Sequence, residues 1–204
     1  MLETAYGRID NLQVVHNASC TSPARPDKDD LVVAAGRWWD DGKNGRILDE
    51  AAAAIGWPVI MAGSNSGPDG QFMPIRHAEH RGELVHDEVV DLMRRCSIFV
   101  SPSLYEPFGL AALEAARSHA ALVLADIPTY RELWSDAALF ADPRDSAAIA
   151  GAVNRLVADP ELRRRLANQA AERSGSFSLS SQATSMAAHY FGLLHRNSTL
   201  SAAE

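Results

Sequence analysis

The sequence predicts an α/β fold, a Rossmann-like doubly wound parallel sheet with helices on both faces. Short apolar segments rich in β-branched residues alternate with longer segments of helical period, which is typical of parallel βαβ units. Several of the apolar segments lack a polar face, as expected of strands that helices cover on both sides. The chain has 204 residues, 47% of them hydrophobic, which suits one such unit with extra helices.

We predict six strands and seven helices from the apolar periodicity. The strands are Leu12–His16, Leu31–Gly36, Pro58–Ala62, Ser97–Ser101, Ala121–Ala125 and Ala138–Ala141. The helices are Lys43–Ile55, Asp87–Cys96, Gly109–Ser118, Thr129–Leu133, Ser146–Ala158, Pro160–Arg173 and Ser180–Leu194. Two breaks interrupt this order: a proline-bearing linker at Cys20–Asp30, and a glycine-rich loop at Gly63–Pro74 that follows a strand, where α/β sheets bind ligands.

The charge balance limits the choice of partners. The chain has 19 basic and 26 acidic residues, for a net charge of -7 and a pI near 5.5, so nucleic acid and anionic membrane surfaces are repelled on average. An anionic ligand must therefore be held by a local cluster. Cys20 and Cys96 form neither a disulfide framework nor a zinc motif, and no signal peptide or long apolar run is evident, which fits a soluble cytoplasmic domain.

The segment "GRWWDDGKNG" places two cations at a strand end and a helix start. Its spacing is one residue too long for a P-loop, and an asparagine follows the lysine where Ser or Thr is needed. Arg37 and Lys43, with free N–H groups nearby, could hold a diphosphate, or they could be ordinary cations of a surface loop. Trp38 and Trp39 could stack on a base or sugar, but we expect one of them to pack under the loop.

The segment "SPSLYEPFGLAALEAARS" places two carboxylates around a helix start. Gly109 permits close approach of a ligand, and the first N–H groups of the helix are free to bind it. Glu106 and Glu114 could each accept hydrogen bonds from adjacent sugar hydroxyls. The alternatives are a helix-capping role for Glu106 and plain solvent exposure for Glu114. A glycoside hydrolase pair would have to flank one bond across a cleft, which one helix end does not favour.

Other catalytic and metal motifs have little support. His77 and His80 have no third ligand, and Asp27 and Asp29 form a D-x-D motif within a proline-flanked loop. The sequences GxSxG and GxGxxG are both absent, which argues against a hydrolase triad and a nicotinamide oxidoreductase. We therefore predict no metal and no cofactor.

Taken together, "RWWDDGKN", "HRGELVHDEV", "SPSLYEPFGLAALEAA" and "DIPTYRELWSDAALFADPRD" resemble successive blocks of family 4 glycosyltransferases (glycosyl transferases group 1) of the GT-B fold. The resemblance covers nearly the whole chain, and Glu106 and Glu114 match the E-x7-E motif of that family. It implies the C-terminal, donor-binding half of a GT-B enzyme. His119 and Ala121 depart from the family, since many relatives have glycine and proline there, and we expect a structural effect only.

The resemblance also implies roles for individual residues. Arg37 and Lys43 would bind the donor diphosphate, Glu106 would contact the transferred sugar, and we predict these three as the catalytic group. Glu114 would bind the ribose, and the nucleobase would lie near Glu83 and Leu84. The predicted donor-binding set is Gly36, Glu83, Leu84, Phe108, Gly109, Leu110 and Glu114.

The resemblance thus predicts a metal-independent, retaining hexosyltransferase of polysaccharide or glycoconjugate biosynthesis that uses a UDP-, GDP- or ADP-sugar. Residues 1–30 would be a linker and first strand, 31–178 the nucleotide-sugar-binding domain, and 179–204 a C-terminal helix and tail. An N-terminal acceptor-binding domain, fused or separate, would complete the enzyme and provide any attachment to the inner membrane. The alternative is a non-catalytic nucleotide-sugar-binding subunit or sensor that needs a partner chain.

Overall fold

A computed structural model describes residues 7–9, 12–19 and 27–201, with side chains through residue 194. It confirms the predicted fold class, because six parallel strands form one sheet in the order β3-β2-β1-β4-β5-β6. The strands are β1 (Asp29–Ala35), β2 (Val59–Ala62), β3 (Glu79–Gly82), β4 (Cys96–Ser101), β5 (Ala121–Ala125) and β6 (Ala138–Ala141).

The described residues contain seven α-helices. They are α1 (Gly45–Ala52), α2 (His86–Arg95), α3 (Leu110–Arg117), α4 (Pro128–Trp134), α5 (Ser146–Ala158), α6 (Pro160–Ser174) and α7 (Leu179–Ser201). Two short 3-10 turns, Asp41–Lys43 and Gly175–Phe177, precede α1 and α7. None of the described helices combines the length and the apolar character that a membrane span requires.

The strand order reverses direction at β1. Going along the chain, the sheet grows from β1 through β2 to β3 and then returns to the other side of β1 with β4. Val33 of β1 pairs with Ile60 of β2 on one side and with Phe99 of β4 on the other. In open α/β sheets, ligands bind beyond the carboxyl ends of the two strands at such a reversal.

Two apolar cores cover the two faces of the sheet. Helix α1, which follows β1, packs Leu48 and Ala51 into one core, whereas α3, which follows β4, packs Ala112 and Leu113 into the other. Since the two helices leave toward opposite faces, the chain does not fill the space between the carboxyl ends of β1 and β4.

Two sequence predictions near the amino end were wrong. Residues 12–16 are irregular rather than a strand, since Val14 is 66% exposed and the segment pairs with no strand among the described residues. The predicted linker includes Asp29 and Asp30, which instead begin β1. Asp29 of the D-x-D motif binds Arg95 with an oxygen 2.8 Å away, so it makes an ion pair there.

The prediction also omitted β3 and made α1 too long. Strand β3 (Glu79–Gly82) is an edge strand with the sequence EHRG, and its half-exposed polar side chains give no apolar signal. Helix α1 begins at Gly45 rather than Lys43, because Asn44 has a left-handed backbone (φ 57°) between the 3-10 turn and the helix.

Close backbone contacts fix the loops beyond β1 and β2. Gly63 has φ 116°, and a Cβ there would lie 1.9 Å from the carbonyl oxygen of Gly36. Only glycine therefore lets the exits of the two strands approach this closely. Farther along, the buried carboxylate of Asp49 accepts hydrogen bonds from the backbone N–H groups of residues 76–78, which holds the long loop against α1.

The residue that follows the end of helix α3, His119, has a strained backbone conformation, which can be tested by substitution. His119 has φ 58° and is exposed, and its N–H binds the carbonyl of Ala116. We expect His119→Gly to raise the free energy of unfolding by about 0.5–1 kcal/mol, because glycine adopts this conformation without Cβ strain. Urea unfolding measures the change. His119→Ala keeps a Cβ and should give no gain; an equal gain from Ala would refute the explanation.

Candidate functional site

The carboxyl ends of β1 and β4 border a cavity of about 770 Å³. Its volume lies within the range of about 300–1,000 Å³ that is usual for small-molecule sites. Nine of the ten site residues predicted from the sequence line it, and the exception is Glu114. The nine are Gly36, Arg37, Lys43, Glu83, Leu84, Glu106, Phe108, Gly109 and Leu110. The structure thus brings together segments that are up to about 70 residues apart in the chain.

The central polar feature of the cavity is an ion pair. Lys43 Nζ lies 2.6 Å from Glu106 Oε2, and the two side chains are only 24% and 13% exposed. Partial burial strengthens such a pair relative to one at the surface. Glu106 therefore binds a cation across the cavity, and it does not cap the helix as one of the sequence alternatives proposed.

Hydrogen bonds of Asn44 hold the neighbouring Lys43 in position to reach Glu106. The buried side-chain amide of Asn44 donates to the carbonyl oxygens of Pro102 (3.0 Å) and Pro143 (2.6 Å). The Leu104 N–H also donates to the Gly42 carbonyl at 2.9 Å. These bonds fasten the 3-10 turn that carries Lys43 to the loops after β4 and β6. The residue that broke the P-loop motif is thus a structural bridge.

Arg37 lies at the rim rather than inside. Its side chain is 64% exposed, binds Asp40 at 3.0 Å and lies 5.4 Å above the ring centre of Trp39. The expectation for the tryptophans is confirmed, since Trp38 is 2% exposed and donates from Nε1 to the Ala62 carbonyl. Trp39 is half-buried and forms part of the cavity wall.

Gly109 and the start of α3 form the opposite wall. Gly109 has φ 87°, and a Cβ there would lie 2.7 Å from Cε1 of Tyr130, so no other residue fits without displacement. The N–H groups of the first turn of a helix have no partner within it. Leu110 and Ala111 of that turn line the cavity, which gives an anion or a hydroxyl access to this helix end.

Glu114 lies on the second turn of α3, beside the cavity. The segment of residues 12–19 connects the two, because Asn17 lines the cavity while Ser19 Oγ lies 3.4 Å from Glu114 Oε1. Burial raises the pKa of the Glu114 carboxyl, and the nearby His86 and the Ser19 hydroxyl partly oppose that shift. Glu114 is half-buried, which differs from the plain solvent exposure considered as an alternative.

The residues predicted for the nucleobase lie where β3 leads into α2. Glu83 is exposed and Leu84 is half-buried, and Leu84 lines the cavity together with Val89 of α2. This wall has an apolar surface, which can receive a flat ring. Its role as a base site stays a prediction.

Sequence reasoning missed several polar residues of the cavity. Ser101 and Ser103 stand at the end of β4, and Tyr130 reaches in from α4. The two serines follow an apolar strand, which was a usable signal because such strand ends border the ligand crevice. Tyr130 gave no signal, since only the tertiary fold places α4 beside Gly109.

No group of three or more His, Cys, Asp or Glu side chains in the described segments is arranged to hold a metal ion. His80 instead uses Nε2 in a hydrogen bond of 2.8 Å with the Gly63 carbonyl. Cys96 is buried in the core with a free thiol.

Comparison with protein families gives one matching model, described as "Glycosyl transferases group 1", over residues 71–173. A glycogen synthase of Mycobacterium tuberculosis is 36% identical over 119 residues, which are 57% of this chain and 29% of that protein. A serotype-specific mannosyltransferase, WbdA of Escherichia coli, is 31% identical over 134 residues, or 60% of this chain and 16% of WbdA.

Solved structures share the fold more widely. The sucrose-phosphate synthase of Thermosynechococcus elongatus superposes with a TM-score of 0.73 at 25% identity, over 82% of this chain and 46% of that one. The Anabaena protein HepE, solved with UDP-glucose, gives a TM-score of 0.70 at 20% identity, over 80% and 49% of the two chains. This chain therefore spans less than half the length of each of these relatives.

The ion pair in the cavity predicts energetic coupling between its partners. We expect Lys43→Ala and Glu106→Ala each to lower the free energy of unfolding, because each leaves a partly buried charge alone. The double variant should lose less than the sum by about 1 kcal/mol. Urea unfolding of the four proteins measures this coupling. The exposed pair Arg46–Glu50 is the control and should couple by less than about 0.5 kcal/mol; equal coupling in both pairs would refute the assignment.

The raised pKa of Glu114 predicts a pH-dependent cost to stability. As pH rises above the ordinary value near 4.5, the unfolded chain loses its proton more readily than the folded one, so folding weakens. Glu114→Gln has no such proton. Its stability relative to the natural protein should therefore grow as pH rises above about 4.5 and then level off, as measured by thermal unfolding from pH 3.5 to 8. Glu132→Gln, at an exposed position, is the control, and a pH-independent difference for Glu114→Gln would contradict the prediction.

Proposed function

The chain belongs to the glycosyl transferases group 1 family and has the fold of the C-terminal domain of a GT-B glycosyltransferase, and from this premise we propose that its cavity binds a nucleoside-diphosphate sugar for transfer to an acceptor. One observation carries the proposal. A partly buried lysine, a carboxylate and an open helix end face a single cavity at the point where the strand order reverses.

Lys43 can serve both the diphosphate and Glu106. An ammonium group has three donor protons, and the contact with Glu106 uses one of them. Two protons are left for phosphate oxygens. Lys43 would thus place the diphosphate next to the carboxylate, and Glu106 would keep a second oxygen for hydroxyls of the transferred sugar.

Transfer would be promoted by stabilising the leaving group. When the bond between the sugar and the phosphate oxygen breaks, negative charge grows on the diphosphate. Lys43, Arg37 and the first N–H groups of α3 would bind that charge more strongly than they bind the donor before reaction, which lowers the barrier. The exposed position of Arg37 suits a group that closes on the phosphates from the rim.

Each end of the donor has a proposed set of contacts. Glu106 and the backbone of residues 108–110 would hold the sugar, and Glu114 would accept hydrogen bonds from the ribose hydroxyls. Leu84 and Val89 would lie under the nucleobase, with Glu83 beside it.

We propose that the acceptor is held by an N-terminal domain, fused or separate. The matched relatives continue well beyond the region they share with this chain. Helix α7 also has large apolar side chains that the described fold leaves exposed, among them Tyr190 (59%) and Leu193 (59%). We further propose that the reaction is metal-independent and retains the anomeric configuration, and that the products are polysaccharides or glycoconjugates made in the cytoplasm.

Calorimetric titration tests the proposal. Among UDP-glucose, GDP-mannose and ADP-glucose, we expect at least one to bind, and HepE makes UDP-glucose the first choice. Lys43→Ala should weaken that binding about 10- to 100-fold, because it removes charged hydrogen bonds worth about 1.5–3 kcal/mol. Arg164→Ala, on an exposed part of α6, should leave binding unchanged. Failure of all three donors to bind the folded protein would refute the proposal.

A further inference from the structure

Three hydroxyl groups form a connected chain on the cavity wall. Tyr130 Oη lies 2.6 Å from Ser101 Oγ, which in turn lies 3.4 Å from Ser103 Oγ. All three residues line the cavity. The serines come from the end of β4 and the tyrosine comes from α4. The chain of hydroxyls therefore joins two elements at the site.

Tyr130 is held rigidly. It is 1% exposed, and its ring fills the space where a Cβ of residue 109 would lie. That Cβ position is 3.2 Å from the tyrosine hydroxyl and 3.4 Å from Cγ of Glu106. The hydroxyl and the Glu106 side chain thus flank the same glycine. Burial raises the pKa of Tyr130, and the Glu106 charge adds to that effect, so the hydroxyl keeps its proton.

Counting protons leaves one for a ligand. Three hydroxyls bring three protons, and the Tyr130 oxygen hydrogen-bonds to both serines, so each serine can donate its proton to that oxygen. Within the described residues, none of these hydroxyls has a hydrogen bond to a group outside the three. When both serines donate to the phenol oxygen, the proton left for a ligand is that of Tyr130. This arrangement places the proton beside Glu106 and strengthens the phenol as a donor.

We propose that Tyr130 donates a hydrogen bond to a hydroxyl oxygen of the transferred sugar, and that this sugar hydroxyl in turn donates a hydrogen bond to Glu106. A sugar hydroxyl both accepts and donates, so a neutral donor beside a carboxylate matches it, whereas a phosphate oxygen would be repelled by Glu106. Ser101 acts through Tyr130 as a positioning residue. The inference rests on the proposed function, and it names the group that recognises the sugar.

The test compares each diphosphate with its sugar conjugate: UDP with UDP-glucose, GDP with GDP-mannose, and ADP with ADP-glucose, using the pair that the natural protein binds. Tyr130→Phe should weaken binding of the sugar conjugate about three- to tenfold and leave binding of the diphosphate unchanged. Ser101→Ala should have a smaller effect in the same direction. The double variant should match Tyr130→Phe alone, because Ser101 acts only through the phenol.

Tyr105→Phe is the matched control. Tyr105 is 63% exposed on the loop after β4 and does not line the cavity. Equal weakening of the diphosphate and its conjugate by Tyr130→Phe, or no weakening, overturns the inference while the donor site stands. If Tyr130→Phe does not fold, binding by Ser101→Ala is the test. Weaker binding of the sugar conjugate alone supports the inference, and equal or no weakening of the two ligands overturns it. If the natural protein binds neither member of any pair, the proposed function fails first.

Discussion

The site depends on one constraint of the sheet, namely that two adjacent parallel strands lead to helices on opposite faces. Strand β1 continues into α1 on one face, and β4 continues into α3 on the other. The crevice between their carboxyl ends follows from that topology. The short 3-10 turn after β1 and the loop after β4 then supply Lys43 and Glu106 from its two sides. The ion pair thus joins the two halves of the sheet.

Several features of the crevice lower the stability of the fold, and each has a use in the proposed donor site. Gly109 has a left-handed backbone that only glycine adopts readily, and it brings a ligand close to the α3 helix end. Glu114 is half-buried without a cation within ion-pair distance in the described structure, although burial disfavours its charge. Such groups are characteristic of binding sites, because the ligand supplies the missing partners.

Sequence reasoning predicted the fold class, five of the six strands and nine of the residues that line the cavity, because apolar periodicity and short motifs are local signals. It missed β3, which is a polar edge strand. It also assigned a strand to residues 12–16, which are irregular and place His16 against the rings of Phe108 and Phe177. It could not find Asn44 or Tyr130 as site residues. Their roles depend on contacts between distant segments that no local pattern encodes.

A crystal structure of the protein with a bound nucleoside-diphosphate sugar, UDP-glucose first, tests the central claim most directly. The account predicts the diphosphate within hydrogen-bond distance of Lys43 Nζ and of the first N–H groups of α3. It also predicts the sugar against Glu106 and the ribose against Glu114. A donor bound elsewhere on the protein, or one in this cavity with its diphosphate remote from Lys43, would contradict the account.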